Sequence, residues 1–108
     1  MTLDLRREGD LCHATLLESR LDALCSTAVR EALLEAVRQG ARRIVLDLSR
    51  TGFVDSSGLG ALVAVLRRLP APGSLVLRGT GEPVERALRL ARLDRILVIE
   101  GAGAPRPA

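Results

Sequence analysis

The side chains best suited to chemistry gather in one stretch, Asp47-Leu48-Ser49-Arg50-Thr51-Gly52-Phe53-Val54-Asp55-Ser56-Ser57-Gly58-Leu59-Gly60. An acid and two hydroxyls stand together at Asp55, Ser56 and Ser57, and Gly58 and Gly60 follow, which permit close approach of another backbone. One reading is local: Asp55 or Ser56 caps a helix, with Ser57 in its first turn. The other is functional, because a cap uses one such group and three stand here in a row. Nucleophilic use of a serine needs an adjacent base, His13 is the single histidine, and no Gly-x-Ser-x-Gly elbow is present. A chain without lysine has no P-loop. Cys12 and Cys25 form no Cys-x-x-Cys pair and lack histidine partners, so they read as reduced, buried hydrophobes, and neither a metal nor a cofactor is expected.

The elements that position this stretch follow from periodicity. Leu3 and Leu5 alternate with polar residues before Glu8-Gly9-Asp10, and Leu11 to Leu17 follows with Cys12, Ala14 and Leu16 on one face, predicting an N-terminal β-hairpin with His13 on the opposite, exposed face. Val29, Ala32, Leu33, Ala36 and Val37 make a helical stripe between Ser26 and Gly40, with Ser26 or Thr27 as the cap. Ile44-Val45-Leu46 and Leu48 read as a strand covered on both faces. After a loop from Ser49 to Phe53, a second helix runs from about Ser57 to Leu69, with Leu59, Leu62, Val63, Leu66 and Leu69 inward, and Pro70 to Gly73 stops it.

Ser74 to Arg78 is a further strand and Gly79-Thr80-Gly81 a loop. A third helix opens at Pro83 with Val84, Ala87, Leu88 and Ala91 buried, supported by Glu82–Arg86 and Glu85–Arg89 pairs. Ile96 to Ile99 closes the domain, and residues 101–108 are expected to be a disordered tail. The order β-β-α-β-α-β-α-β predicts one α/β domain over residues 1–100 with a mixed central sheet.

Composition mainly excludes. The core must be aliphatic, since the sequence has one aromatic residue, Phe53, which leaves no stacking platform for bases. All 16 basic residues are arginines interleaved with 13 acids, so the net charge of +3 describes a solvated surface better than a nucleic-acid stripe. The N-terminal residues lack the apolar run of a secretory signal, and the longest charge-free stretch, Ser56 to Leu66, is shorter than the ~18 to 20 residues that cross a membrane. A soluble cytoplasmic protein without membrane insertion is expected. The second helix carries no charge before Arg67, and Gly60, Ala61 and Ala64, followed by Arg67 and Arg68, are expected on its non-core side. Such a smooth face suits docking of a partner protein, or packing against the first or third helix.

The run Ile44-Val45-Leu46-Asp47-Leu48-Ser49, then Phe53-Val54-Asp55-Ser56-Ser57-Gly58-Leu59-Gly60 and Leu62, resembles the signature of the STAS domain as found in bacterial anti-sigma factor antagonists. Leu21-Asp22, the amphipathic first helix and Leu93-Asp94 extend the likeness from about Gly9 to Ile99. The resemblance implies a four- to five-stranded sheet with helices mainly on one side, and a binding function without enzymatic activity. It also implies that an anti-sigma factor with a kinase-like ATP-binding fold phosphorylates Ser57, that the unphosphorylated form binds this partner and releases a sigma factor, and that a serine phosphatase resets the cycle. Asp22 lies close to the phosphorylated serine in such proteins, and Asp55 precedes it. Ser19 and Arg92 stand where relatives usually carry glycine. Two other classes are a STAS adaptor or regulatory subunit of a membrane transporter or signalling complex, never phosphorylated, and, more remotely, a hydrolase using Ser57.

Overall fold

The computed structural model describes residues 2–70 and 74–101. The hairpin forms as its alternation predicts: β1 (Leu3–Glu8) pairs antiparallel with β2 (Leu11–Leu16) around Gly9, whose φ of +60° suits a residue without a side chain. Next come β3 (Arg20–Leu21), α1 (Ser26–Arg38), β4 (Arg43–Asp47), β5 (Phe53–Val54), α2 (Ser56–Leu66), β6 (Leu75–Thr80), α3 (Glu82–Leu90) and, after a 3₁₀ turn at Leu93–Arg95, β7 (Val98–Gly101). The main sheet has the order β1-β2-β4-β6-β7 and is mixed: the hairpin is antiparallel and every other neighbour is parallel.

Alternation decides what the helices cover. Cys12, Ala14 and Leu16 of β2, Ile44 and Leu46 of β4, and Leu75 and Leu77 of β6 share one cluster with Val29, Leu33 and Ala36 of α1, Leu62 and Val65 of α2, and Val84 and Leu88 of α3. All three helices therefore pack on the same face of the sheet. Val45 and Val76 stand at the alternate positions and belong to no helix contact of that cluster, yet both are buried, so β4 keeps its uninterrupted apolar run. Truncating a fully buried leucine such as Leu46 to alanine would cost about 2–5 kcal/mol.

Several local expectations change. The α1 N-cap is Cys25 rather than Ser26 or Thr27, and Ser26 is the first helical residue, buried. Helix α2 ends at Leu66, and its buried stripe is Gly58, Ala61, Leu62 and Val65, with Leu59, Val63 and Leu66 half-buried against it. Gly79 and Thr80 continue β6 instead of forming a loop, because a register shift between Arg78 and Thr80 and the positive φ of Gly79 keep the strand paired with β7. On α3, Glu82 pairs with Arg86 at 3.6 Å as expected, whereas Ala91 is exposed. The tail residues 102–108 and three residues of the helix stop, 71–73, lie outside the described residues.

The loop expected from Ser49 to Phe53 contains the least legible element. Phe53–Val54 forms a two-residue parallel pairing with Arg20–Leu21, a second small sheet that ties the segment before α2 to the segment before α1. Thr51 anchors the same crossing by donating its hydroxyl to the Glu18 carbonyl at 2.7 Å.

Candidate functional site at the start of the second helix

Asp55 settles the choice of cap. Its extended backbone precedes α2, and its Oδ1 accepts from the Gly58 N–H at 3.0 Å, while Leu59 N–H closes the first intrahelical bond to the Asp55 carbonyl at 2.9 Å. Ser56 and Ser57 are then the first two helical residues, so their own N–H groups lie in the turn where helices leave donors without intrahelical acceptors. Ser56 is exposed and Ser57 half-buried. The positive end of the helix dipole lies at these hydroxyls.

Gly58 fixes how deeply this turn sits. A Cβ there would meet the Leu21 carbonyl oxygen at 2.4 Å, Val54 Cγ2 at 2.7 Å and Leu21 Cγ at 2.8 Å. That same carbonyl accepts the Asp55 N–H at 3.2 Å. The first turn of α2 is therefore pressed against the end of β3, and only glycine fits between them. Gly60 differs: nothing lies within 4 Å of its Cβ position, and it is exposed.

Asp22 follows Leu21 directly and so leaves β3 at the same end of α2. Its carboxylate accepts from Arg20 Nε at 3.1 Å and from the Leu24 N–H at 3.0 Å, which closes a tight turn into α1. Arg20 also lies over the Phe53 ring, 4.0 Å from its centroid. Residues Glu18, Ser19, Arg20, Asp22 and Leu24 line a cleft of about 240 Å³, and Leu24 at its rim is 95% exposed. Sequence reasoning missed Arg20, Leu24 and Phe53. The first two carried no motif, and Phe53 gained its place only through the β3–β5 pairing.

The Leu21 carbonyl links the segment that carries Asp22 to Asp55 and Gly58, Ser56 and Ser57 share the first turn with Gly58, and Gly60 and the half-buried Ala64 stand further along α2. Ala61 is corrected: it is 3% exposed and faces inward, because it lies one turn below Gly58 on the side where α2 approaches the body of the domain. Arg67 and Arg68 are exposed but stand at the other end of the helix, about 16 Å along its axis from the serines by the rise of 1.5 Å per residue. Arg68 instead lines a cleft with Leu34, Val37 and Arg38 of α1. Among the described residues no cluster of histidine, cysteine and acidic side chains has metal-site geometry, and no helix is long and apolar enough to cross a membrane.

Fold and site together define a small α/β module that displays a capped, serine-bearing helix N-terminus. Residues 6–99 match the family model described as the Mlab, STAS domain. The chain belongs to the STAS domain family. A Thermotoga maritima protein bearing an anti-sigma factor antagonist name is 38% identical over 66 residues, which cover 60% of this chain and 58% of that protein. The chain's match thus spans under two thirds of that relative's length. A crystal structure of a T. maritima protein of the same description superposes with a TM-score of 0.76 at 25% identity, covering 91% of this chain and 85% of the other. An anti-sigma factor antagonist from Mycobacterium paratuberculosis superposes with a TM-score of 0.80 at 21% identity, covering 92% and 84%. The anti-sigma factor antagonist SpoIIAA in its unphosphorylated form shares the fold, with a TM-score of 0.65 at 20% identity, covering 87% and 96%.

Proposed function

We propose that this protein is an anti-sigma factor antagonist whose unphosphorylated form binds an anti-sigma factor with serine kinase activity, and that phosphorylation of Ser57 switches binding off. The observation that carries the reading is Ser57 itself, half-buried in the first turn of a helix that Asp55 caps and Gly58 seats against β3. The names of the similar proteins support it, as does the existence of SpoIIAA structures in both unphosphorylated and phosphorylated forms.

In the switching step the Ser57 Oγ forms a bond to the γ-phosphorus of ATP on the partner. The bond from that phosphorus to the bridging oxygen breaks, ADP leaves, and the hydroxyl proton passes to a base on the kinase. The product carries about −1.5 to −2 charges at a helix N-terminus, which the dipole tolerates, so the domain stays folded. The partner surface fitted to a hydroxyl meets that charge next to Asp55, with desolvation and like-charge repulsion. A loss of about 3 kcal/mol is more than a hundredfold in affinity. Ser56, Gly60 and Ala64 complete the docking face in this reading, whereas Gly58, like Ala61, is buried on the inward side of α2 and seats the helix; Asp22 borders the face, and Arg67 and Arg68 form its far edge. A serine phosphatase restores the hydroxyl.

The test combines calorimetry with intact-mass measurement. Incubation with the cognate kinase and ATP adds one phosphoryl group to wild type and to Ser56→Ala but none to Ser57→Ala. Ser57→Asp binds the kinase more than about a hundredfold more weakly than wild type. Equal binding by Ser57→Asp, or a mass gain in Ser57→Ala, overturns the proposal. No mass gain in wild type favours an adaptor that is never phosphorylated.

A further inference from the structure

Strand β1 is an edge of the main sheet, and its open side is unusually well suited to a copy of itself. The Leu17 N–H donates to the Thr2 carbonyl at 2.8 Å, so Thr2 and Leu17 form a hydrogen-bonded pair across the hairpin. By antiparallel alternation Asp4, Arg6 and Glu8 turn their backbone groups toward β2, while Leu3, Leu5 and Arg7 turn theirs outward. Unpaired groups of this kind template strand pairing unless charge or shape blocks it.

The charges on β1 do not block a second copy; they select its register. Asp4 and Arg6 lie on the sheet face away from the helices, opposite Thr15 and His13, and both are exposed. Neither takes part in an ion pair among the described residues. An antiparallel dimer centred on Leu5 sets Leu5 against its own copy, and sets Asp4 against Arg6 of the second copy twice over. Leu3 then faces Arg7, and the three outward-facing residue pairs make about six backbone hydrogen bonds at two per pair. The charged pairs fall at the non-hydrogen-bonded positions, where facing side chains approach most closely. Centring on Arg6 would oppose two arginines and set Asp4 against Glu8; centring on Asp4 would oppose two aspartates. A shift by half a register would turn outward groups against inward ones.

The helix side of the strand agrees. Leu5 is 39% exposed and lines a cleft of about 300 Å³ together with Cys12, Ala32 and Ala36, with Arg7, Glu35 and Gln39 as its polar lining. A second Leu5 across the dyad closes the open side of that cleft. Arg7 stands on the helix side of the strand, away from Asp4 and Arg6, and its guanidinium is turned toward the end of α1, donating to the carbonyls of Gly9, Ala36 and Gln39.

We propose that this chain forms a two-fold symmetric dimer through β1, centred on Leu5, which joins two five-stranded sheets into one. The inference is independent of the phosphorylation reading. Sedimentation equilibrium from about 10 μM to about 1 mM shows a monomer–dimer equilibrium that weakens with salt. Over the same range the amide resonances of Leu3, Leu5 and Arg7 shift and gain exchange protection, while those of Asp4 and Arg6, already bonded to β2, gain none. Arg6→Asp, which faces two pairs of acids, weakens association at least about tenfold. Adding Asp4→Arg to Arg6→Asp restores it to within about threefold, because the swapped charges meet in the same register. A monomer throughout the range, a dimer indifferent to Arg6→Asp, or failure of the double exchange to rescue overturns the proposal.

Discussion

Gly58 and Gly60, two positions apart in the same helix, should respond to alanine with opposite sign. At Gly60 the added methyl meets open space, so Gly60→Ala collects the helix-propensity gain of about 0.8–1 kcal/mol. At Gly58 the same gain is set against a contact that cannot form. The Cβ would stand 2.4 Å from the Leu21 carbonyl oxygen, about 1 Å inside ordinary van der Waals separation. Leu21 is backbone held by the β3–β5 pairing and by the Asp55 N–H, so relief requires α2 to lift off β3. Overpacking of this kind costs about 1–3 kcal/mol, and stretching the Asp55–Leu21 bond about 1 kcal/mol more. Subtracting the propensity gain leaves Gly58→Ala less stable than wild type by about 1–3 kcal/mol. The two variants then differ by about 2–4 kcal/mol, on the order of 10 °C in Tm. Urea and thermal unfolding followed by helical circular dichroism measure this directly. If Gly58→Ala unfolds at the same denaturant concentration as Gly60→Ala, the argument that the helix is seated by the missing side chain is wrong.

Three further outcomes follow from other parts of the structure. Arg92 holds a left-handed φ of 61° just before the 3₁₀ turn, so Arg92→Gly should stabilise by about 1 kcal/mol, read as a raised urea midpoint with unchanged m-value. Asp55→Ala removes the α2 cap and should cost about 1 kcal/mol, with amide exchange accelerated first at Gly58. Burial pushes the Cys12 thiol above its ordinary value of 9.0, only partly opposed by the Arg7 guanidinium. The folded thiol therefore keeps its proton where the unfolded one has lost it, so this contribution to stability is complete below pH 9.0 and declines as pH rises from there through the raised folded value. Unfolding curves of Cys12→Ala, which lacks the group, should flatten over that window relative to wild type.

How much was legible in advance depended on how local the cause was. The hairpin, the three helices and the mixed sheet rest on period-two and helical alternation, which short windows contain in full. The cap of α2, as Asp55 or Ser56, is legible for the same reason, and the structure selects Asp55. The β3–β5 pairing was not, because two residues carry no period and their partner lies over thirty positions away. The run of small residues Gly60, Ala61 and Ala64 reads as a docking face and so places Ala61 outward. In the structure the small side of α2 at Gly58 and Ala61 is the side that approaches the domain, and size alone does not distinguish the two uses. Gly79-Thr80-Gly81 reads as a loop, whereas a register shift lets β6 run through Gly79 to Thr80. That Asp22 lies near Ser57 is what the family resemblance implies; the structure links the Leu21 carbonyl, next to Asp22, to the Asp55 N–H, a link that no local pattern encodes.

The stacking of Arg20 on Phe53 has a practical consequence. Phe53 is the chain's single aromatic residue, and it sits in β5, one residue from the segment that caps α2. Biosynthetic fluorophenylalanine would therefore give one fluorine resonance for the whole protein, and that resonance would come from the neighbourhood of the serines. Its shift is sensitive to the guanidinium 4.0 Å away and would register any event that draws Arg20 toward a new anion. A chain that is almost dark to absorbance and fluorescence thus carries a label of its own beside the one place where its state is proposed to change.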